Sequence, residues 1–292
     1  MPWLQLKIDT DSEQADRLSA LLEAAGAEAV TLEDARDQPL YEPPPGATPL
    51  WADTRVVGLF PADADREAIL ALLRESLGEL PPHRFQALED QDWTRAWMDR
   101  FQPMRFGERL WICPSWCPPP EPDAVNILLD PGLAFGTGTH PTTALCLEWL
   151  DGHPPAGQLV VDYGCGSGIL AIAAALLGAR HLWAVDNDPQ ALESSAANAE
   201  RNEIPVRNFY TALPEDLPPL QADLLLANIL AEPLIGLASR FAGIVRPGGR
   251  VVLSGILREQ ADAVGAAYAA WFDMEPPVAR EEWVRLAGTR RA

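Results

Sequence analysis

The sequence predicts an α/β protein in which a doubly wound, Rossmann-like domain follows a smaller α+β domain of the ferredoxin-like type. Three observations support this prediction. The 292 residues exceed one average domain, so we expect two. Before residue 90 the hydrophobic patterns follow the order strand, helix, strand, strand, helix, strand, which is typical of a small sandwich. From Asn126 onward, short apolar strands alternate with longer helices, which is typical of a parallel sheet covered by helices.

The first domain, residues 1–89, is predicted from hydrophobic alternation and from the residues that interrupt it. Gly26 ends the first helix, as glycines often do just past a last helical turn. A proline-rich loop at 38–48 separates the second and third strands. Small sandwiches of this kind often serve as recognition modules, and no pattern in this one suggests catalysis. Strands are expected at 3–8, 29–32, 55–60 and 83–88, and helices at 12–25 and 64–77.

Residues 90–102 are expected to form a linker helix, in which Trp93 and Trp97 lie one turn apart and pack on a neighbouring surface. The second domain, residues 103–292, begins with a connector at 101–111. Asp188 is placed to cap the helix that starts at Pro189, because proline suits the first helical position. Strands are expected at 159–162, 181–185, 222–227, 250–254 and 283–287, and helices at 142–150, 169–177, 189–202, 233–245 and 259–271.

Composition and charge restrict the classes of function. Hydrophobic residues make up 48% and charged residues 22% of the chain, as in a globular protein with a real core. The formal net charge of −20 disfavours a protein that holds nucleic acid mainly through phosphate contacts. A negative field suits a basic partner, since it steers cationic proteins toward the surface. The alternative is that the charge serves solubility alone.

Hydropathy and cysteine spacing indicate the compartment. The longest apolar run, residues 169–179, is too short to span a bilayer, and the first residues lack the pattern of a signal peptide. The four cysteines match no zinc module, so we expect free thiols and no metal. These observations together predict a soluble cytoplasmic protein with no membrane partner. We also expect a monomer.

A glycine-rich turn at 162–168 carries the first sign of chemistry. It follows a buried strand and opens a helix, where glycines let the backbone approach a ligand closely. Its G-x-G-x-G spacing, with an acid two positions before the first glycine, differs from the pattern of dinucleotide-binding proteins. Asp186 ends the next strand, where a carboxylate can accept hydrogen bonds from ribose hydroxyls. Gly164, Gly166 and Asp186 are therefore predicted to bind a ligand, the alternative being a structural turn with acids nearby by chance.

Asn228 directly follows the predicted strand at 222–227. This places its amide at the carboxyl edge of the sheet, where open α/β folds bind ligands. An amide there can accept a hydrogen bond from an amine and orient its nitrogen for reaction. The alternative is an asparagine that caps the next helix.

The segment 130–143 predicts a mobile loop that leads into a helix and closes over a substrate. It holds three glycines and four threonines together with Phe135 and His140. Phe135 is expected to help seal the site. His140 is either a base or a structural hydrogen-bonding residue. Thr143, near the start of the helix, either hydrogen-bonds a cofactor or caps the helix.

The loop at 129–143, the glycine turn, the run Asn-Ile-Leu-Ala at 228–231 and Pro-Gly-Gly at 247–249 together resemble the PrmA family. The resemblance covers nearly the whole chain, and the loop is its most specific part. It implies a class I methyltransferase that uses S-adenosylmethionine to methylate large-subunit ribosomal protein eleven, at lysine ε-amino groups and the N-terminal α-amino group. By the same resemblance, residues 1–89 grip the ribosomal protein, and four residues match cofactor-contacting positions: Thr143, Gly164, Asp186 and Asn228.

The chemistry of such an enzyme is mostly alignment of the reacting groups. A lysine ammonium, with a pKa of about 10.4, must first lose a proton, and a water-poor pocket favours the neutral amine. We hypothesise that Asn228 orients this amine, that Phe135 and the loop seal the site, and that no side chain is an obligatory strong base. Two alternatives stay open: methylation of RNA or a small molecule, which the lack of a basic strip disfavours, and a non-enzymatic module that holds the cofactor as a ligand.

Overall fold

The computed structural model describes residues 3–36, 38, 49–88, 101–130 and 140–292. The chain divides into two compact units, Met1–Ala96 and Trp97–Ala292. The predicted linker helix at 90–102, with Trp93 and Trp97, lies outside the described residues except for residues 101 and 102, which are not helical.

The first unit is one four-stranded sheet with two helices. Its strand order is β2-β3-β1-β4, and every neighbouring pair is antiparallel. Alternate residues of a strand point to opposite faces, so Leu4, Leu6 and Ile8 of β1 all reach the core. The elements are β1 (Trp3–Asp11), α1 (Ala15–Ala24), β2 (Ala29–Asp34), β3 (Asp53–Pro61), α2 (Arg66–Leu77) and β4 (His83–Leu88).

Local chemistry sets the bounds of α2. The Asp65 side chain accepts hydrogen bonds from the backbone N–H groups of Glu67 and Ala68, which otherwise lack intrahelical partners. At the other end the chain leaves the helix at Gly78 with φ of +79°, a conformation that glycine adopts without strain. The predicted helix at 64–77 therefore begins two residues later than expected.

The second unit opens with a small three-stranded sheet that the sequence did not predict. It consists of β5 (Met104–Phe106), β6 (Leu110–Cys113) and β7 (Val125–Leu128). The pair β5–β6 is antiparallel and the pair β6–β7 is parallel. The prediction of a plain connector at 101–111 is thus wrong. Strands of three or four residues carry too few alternations to be recognised from periodicity.

The main sheet of the second unit has eight strands in the order β10-β9-β8-β11-β12-β15-β13, with β14 beside β15. Strands β8 to β12 are parallel, as predicted, whereas β15 pairs antiparallel with β12, β13 and β14. The sheet is therefore mixed. Its strands are β8 (Leu159–Tyr163), β9 (His181–Val185), β10 (Phe209–Ala212), β11 (Ala222–Asn228), β12 (Val245–Leu257), β13 (Phe272–Met274), β14 (Val278–Arg280) and β15 (Trp283–Arg290).

Helices cover both faces of this sheet and bury a separate hydrophobic layer on each. Leu150 and Ile172 belong to one layer, and Phe241 and Tyr268 belong to the other. The helices are α3 (Pro141–Gly152), α4 (Ile169–Leu176), α5 (Pro189–Arg201), α6 (Ala231–Ile244) and α7 (Ala261–Tyr268). The helix predicted at 259–271 is shorter than expected, because its start is the 3-10 turn Arg258–Gln260 and its end is irregular.

The strand order reverses direction between β8 and β11. From β8 the chain proceeds outward through β9 and β10, and it then returns to add β11 and β12 on the other side. In open α/β sheets, ligands bind at the carboxyl ends of the strands where this reversal occurs. A ligand is therefore expected to bind at the carboxyl ends of β8, β9 and β11. All four cysteines are free, and no helix in the described ranges is long and apolar enough to cross a membrane.

Candidate functional site

The turn after β8 requires glycine for steric reasons. Gly164, Gly166 and Gly168 all have positive φ, at +80°, +52° and +79°. A Cβ atom on Gly164 would lie 2.2 Å from Cγ2 of Ile229, and one on Gly168 would lie 2.4 Å from Oγ of Ser195. Two restrictions therefore apply to this turn. Neighbouring residues leave no room for a side chain at Gly164 or Gly168, and the positive φ values would strain any residue other than glycine.

Asp186 ties this turn to the end of β9. One carboxylate oxygen accepts a hydrogen bond from the backbone N–H of Gly166 at 2.9 Å, and the other accepts one from Asp188 at 3.1 Å. The backbone N–H of Gly164 donates to the carbonyl of Val185 at 2.7 Å. The structure thus brings Gly164, Gly166 and Asp186 together at one edge of the sheet. The predicted N-cap role of Asp188 is confirmed, since its carboxylate accepts from the backbone N–H of Gln190.

Asp162 is the buried acid at the end of β8. One of its oxygens accepts a hydrogen bond from the backbone N–H of Ala171 at 3.0 Å, whereas Oδ1 has no hydrogen-bond partner among the described residues. Burial, followed by the nearby charge of Asp186, raises the pKa of Asp162 to about 7, although the hydrogen bond from Ala171 opposes this shift. The site therefore contains a buried acceptor whose charge is incompletely compensated.

Asn228 ends β11 and meets the first turn of α3. Its Nδ2 donates to Oγ1 of Thr143 at 3.2 Å, and Thr143 is fully buried while Asn228 is half-buried. The alternative that Asn228 caps the following helix is wrong, because the N-cap of α6 is Leu230. Similarly, Thr143 does not cap α3, whose N-cap is His140.

The turn after β11 is held from two sides by glycines, one in the turn after β8 and one in β12. Ile229 packs against Gly164, as described above, and a Cβ atom on Gly255 would lie 2.3 Å from the carbonyl oxygen of Ile229. In addition, the buried Ser254 hydroxyl donates to the backbone carbonyl of Thr142 at 3.1 Å. Sequence reasoning missed Ser254 and Gly255 as parts of the site. A glycine within an apolar strand was the available signal, since it often marks a close backbone approach.

His140 occupies the start of α3, where its ring serves the helix. Its Nδ1 lies 2.8 Å from Oγ1 of Thr142 and accepts from the Thr142 backbone N–H at 3.4 Å. The ring packs edge-on against Trp283 with centroids 4.8 Å apart, and burial lowers the pKa of His140. This arrangement favours a structural role over that of a base. Phe135, the predicted seal of the site, lies outside the described residues.

Comparison with known proteins identifies the family. The sequence model described as "Ribosomal protein L11 methyltransferase (PrmA)" matches residues 2–291. The chain belongs to the PrmA family. This PrmA family member is 59% identical over 293 residues to the "Ribosomal protein L11 methyltransferase" of Pseudomonas aeruginosa (strain LESB58), and the match covers 100% of both chains.

Two further relatives extend the comparison. The PrmA family member is 57% identical over 296 residues to the protein of the same name from Marinobacter nauticus, covering 100% of this chain and 99% of that protein. A crystal structure of the ribosomal protein L11 methylase from Lactobacillus delbrueckii subsp. bulgaricus is 33% identical, with a TM-score of 0.59. It covers 66% of this chain and 100% of the solved chain. The α/β architecture of the large sheet is therefore that of a methyltransferase fold.

Proposed function

We propose that this PrmA family member transfers methyl groups from S-adenosylmethionine to lysine ε-amino groups and the N-terminal α-amino group of large-subunit ribosomal protein eleven. The full-length similarity to proteins named for this substrate supports the proposal. The observation that carries it is the amide of Asn228, which lies at the sheet edge beside the glycine turn and has an oxygen to which no described residue donates. An amide oxygen in this position suits an amine acceptor.

The residues at the carboxyl edge fit the proposed cofactor. Each oxygen of Asp186 accepts only one backbone N–H bond and so retains acceptor capacity for ribose hydroxyls. The unpartnered oxygen of Asp162 offers a further hydrogen-bond acceptor at the same edge. Gly164 and Gly166 leave the backbone open to the ligand. When bound, S-adenosylmethionine supplies a methyl group that is already activated for transfer.

Side chains at the site favour the neutral form of the acceptor amine and orient it. Desolvation favours the neutral amine over the ammonium, so enclosure of the site lowers the cost of losing the proton. The oxygen of Asn228 accepts a hydrogen bond from the amine N–H, which leaves the nitrogen lone pair free for reaction. We assign the enclosure to Phe135 and the segment around it. No strong base is required in this scheme, in keeping with the structural position of His140.

We further propose the ferredoxin-like first domain, residues 1–89, as the module that grips the ribosomal protein, with a linker at 90–102 and the catalytic domain at 103–292. Its strand order β4-β1-β3-β2 and its βαββαβ sequence of elements support this assignment. The protein then acts as a cytoplasmic monomer on a free, basic substrate. Hydrogen exchange of the full chain tests the module, because bound ribosomal protein should slow amide exchange in β1 to β4.

A transfer assay tests the proposed function. The chain is incubated with cofactor labelled in its methyl group, free ribosomal proteins and ribosomal RNA. A single labelled protein band of the expected substrate, with the label on lysine ε-amino groups or the N-terminal α-amino group by mass spectrometry, is the expected result. Label in RNA, or label that binds the chain without being transferred, would contradict the proposal.

A further inference from the structure

The hydrogen bond between Asn228 and Thr143 joins two elements that are distant in sequence. The residues are 85 positions apart, and the bond spans 3.2 Å from Nδ2 to Oγ1. Thr143 has 0% of its surface exposed, whereas Asn228 stands half-buried at the end of β11. A buried hydroxyl thus contacts the one amide that the proposed mechanism uses.

The chemistry of an amide makes this contact consequential. The two orientations of an asparagine amide have nearly the same shape but exchange a donor for an acceptor. Only the orientation that presents Oδ1 to the acceptor can receive a hydrogen bond from an amine; the other presents N–H groups to N–H groups. With Nδ2 bonded to Thr143, Oδ1 is left available, and no described residue donates to it.

We propose that Thr143 is a positioning residue whose hydroxyl, through its hydrogen bond to Nδ2, holds the side chain of Asn228 in the place where its carbonyl oxygen meets the acceptor amine. This inference rests on the proposed function and adds a role for Thr143 that acts through Asn228. It differs from a direct cofactor contact, in which loss of the hydroxyl weakens cofactor binding. It also differs from plain packing, in which serine and valine are similarly tolerated.

Both partners of the bond are held in place by other parts of the structure. The first turn of α3 is anchored to β12, since the Ser254 hydroxyl donates to the carbonyl of Thr142. The chain after Asn228 is fixed because Ile229 lies against Gly164 and Gly255. The backbone atoms on each side of the bond therefore cannot move freely. The side-chain torsions of Asn228 are the remaining freedom, and the hydrogen bond to Thr143 restrains them.

Kinetics of four variants test the inference. Thr143→Val keeps the shape but removes the hydroxyl, and kcat should fall about five- to tenfold, as expected for one lost hydrogen bond. Thr143→Ser keeps the hydroxyl and should stay within about twofold of wild type. In an Asn228→Ala background, Thr143→Val should cause no further loss, because the two residues act as one unit. Tyr268→Phe removes another fully buried hydroxyl, one that donates to the Leu234 carbonyl at 2.9 Å, and should leave kcat unchanged.

Several results would overturn the inference. The factors by which Thr143→Val and Asn228→Ala each lower kcat could multiply in the double variant, which would show that the two residues have independent roles. Thr143→Ser could be as impaired as Thr143→Val, which would indicate packing. In Thr143→Val, the cofactor dissociation constant could rise about five- to tenfold while kcat stays constant, which would indicate a direct cofactor contact.

A readout that needs no turnover separates this inference from the proposed function. The side-chain amide resonance of Asn228 is assigned by ¹⁵N NMR from its disappearance in Asn228→Ala. In Thr143→Val its two protons should shift and exchange faster with solvent, and in Thr143→Ser they should stay near their wild-type positions. An unchanged signal in Thr143→Val overturns the inference. If the signal responds while the wild type methylates no ribosomal protein, the proposed function fails and the positioning role stands.

Discussion

At the scale of single residues, Asn228 is the side chain on which turnover should depend most. Replacement by alanine removes the acceptor for the amine but leaves Asp186 and the glycine turn intact. We expect kcat to fall by roughly 10–100-fold, with the cofactor dissociation constant changed by less than about threefold. Single-turnover transfer and equilibrium cofactor titration measure the two quantities. If only cofactor affinity changes, Asn228 does not orient the amine.

Asp162 gives a pH dependence of stability whose sign follows from its raised pKa. The ordinary pKa is 3.8 and that of the folded protein is about 7, so the folded state binds this proton more tightly than the unfolded state does. The stabilising contribution of the protonated carboxyl is therefore full below about pH 4 and is lost as pH rises through 7. Asp162→Asn cannot titrate and lacks this dependence.

The comparison between wild type and Asp162→Asn isolates that single group. Between pH 4 and 7 the wild type should lose free energy of unfolding relative to the variant, by at most about 1.4 kcal/mol per pH unit, and the difference should level off above pH 7. Urea unfolding at several pH values measures it. Parallel pH profiles for the two proteins would mean that Asp162 keeps an ordinary pKa.

At the residue scale, the sequence could predict which residues lie together where the relation between them was local. Gly164, Gly166 and Asp186 follow from spacing within one βαβ unit, and the structure brings them together. The contact between Ser254 and Thr142 joins residues 112 positions apart, so no local pattern could reveal it. His140 illustrates a third case, since the sequence left two roles open and only its contacts with Thr142 favour one.

At the scale of elements, the glycine turn after β8 should tolerate no side chain. Gly164→Ala introduces a Cβ atom 2.2 Å from Ile229 at a positive φ, whereas Gly157→Ala, at φ of +72°, places its Cβ in open space. Both variants lose about 1 kcal/mol from backbone strain. Gly164→Ala should lose roughly 1–3 kcal/mol more from overpacking.

The matched pair distinguishes strain from packing in the turn. Thermal or urea unfolding gives both free energies, and cofactor titration should show weakened binding for Gly164→Ala only. Equal destabilisation of the two variants would mean that Ile229 moves aside at no cost. In that case the turn would be held by its backbone hydrogen bonds rather than by the contact with Ile229.

Elements were predictable in proportion to their length. The long helices α3, α5 and α6 and the strands β8, β9 and β11 appear within a few residues of their predicted bounds. Four to eight residues of alternation are needed for a strand signal; β5, β13 and β14 have three, and β10 has four, at the lower limit. The antiparallel edge formed by β13 to β15 was missed because strand direction depends on connections that the pattern of hydrophobic residues does not encode.

At the scale of the whole molecule, the net charge of −20 should govern the encounter with a basic protein. Opposite charges accelerate association, and salt screens this attraction over a Debye length of about 10 Å at 0.1 M. We expect KM for the ribosomal protein to rise about tenfold between 0.05 and 0.5 M salt, with kcat nearly constant.

Cofactor affinity provides the internal control for this salt series. Binding of a small ligand at the sheet edge depends on short contacts, so its dissociation constant should change much less than KM for the protein. A KM that is independent of salt would show that the acidic surface serves solubility alone. The two explanations of the charge that the sequence left open are thus distinguishable by one titration.

The position of Ile229 between two glycines has a consequence for how the family can diverge. Gly164 is restricted by the Ile229 side chain and also by its φ of +80°, and a smaller residue at 229 relieves only the first restriction. Gly255 is restricted by the backbone of Ile229, and no substitution at 229 can remove backbone atoms. Among descendants of this chain, a residue other than glycine at 164 should therefore occur only beside a smaller residue at 229, whereas position 255 should stay invariant for as long as the turn keeps its course.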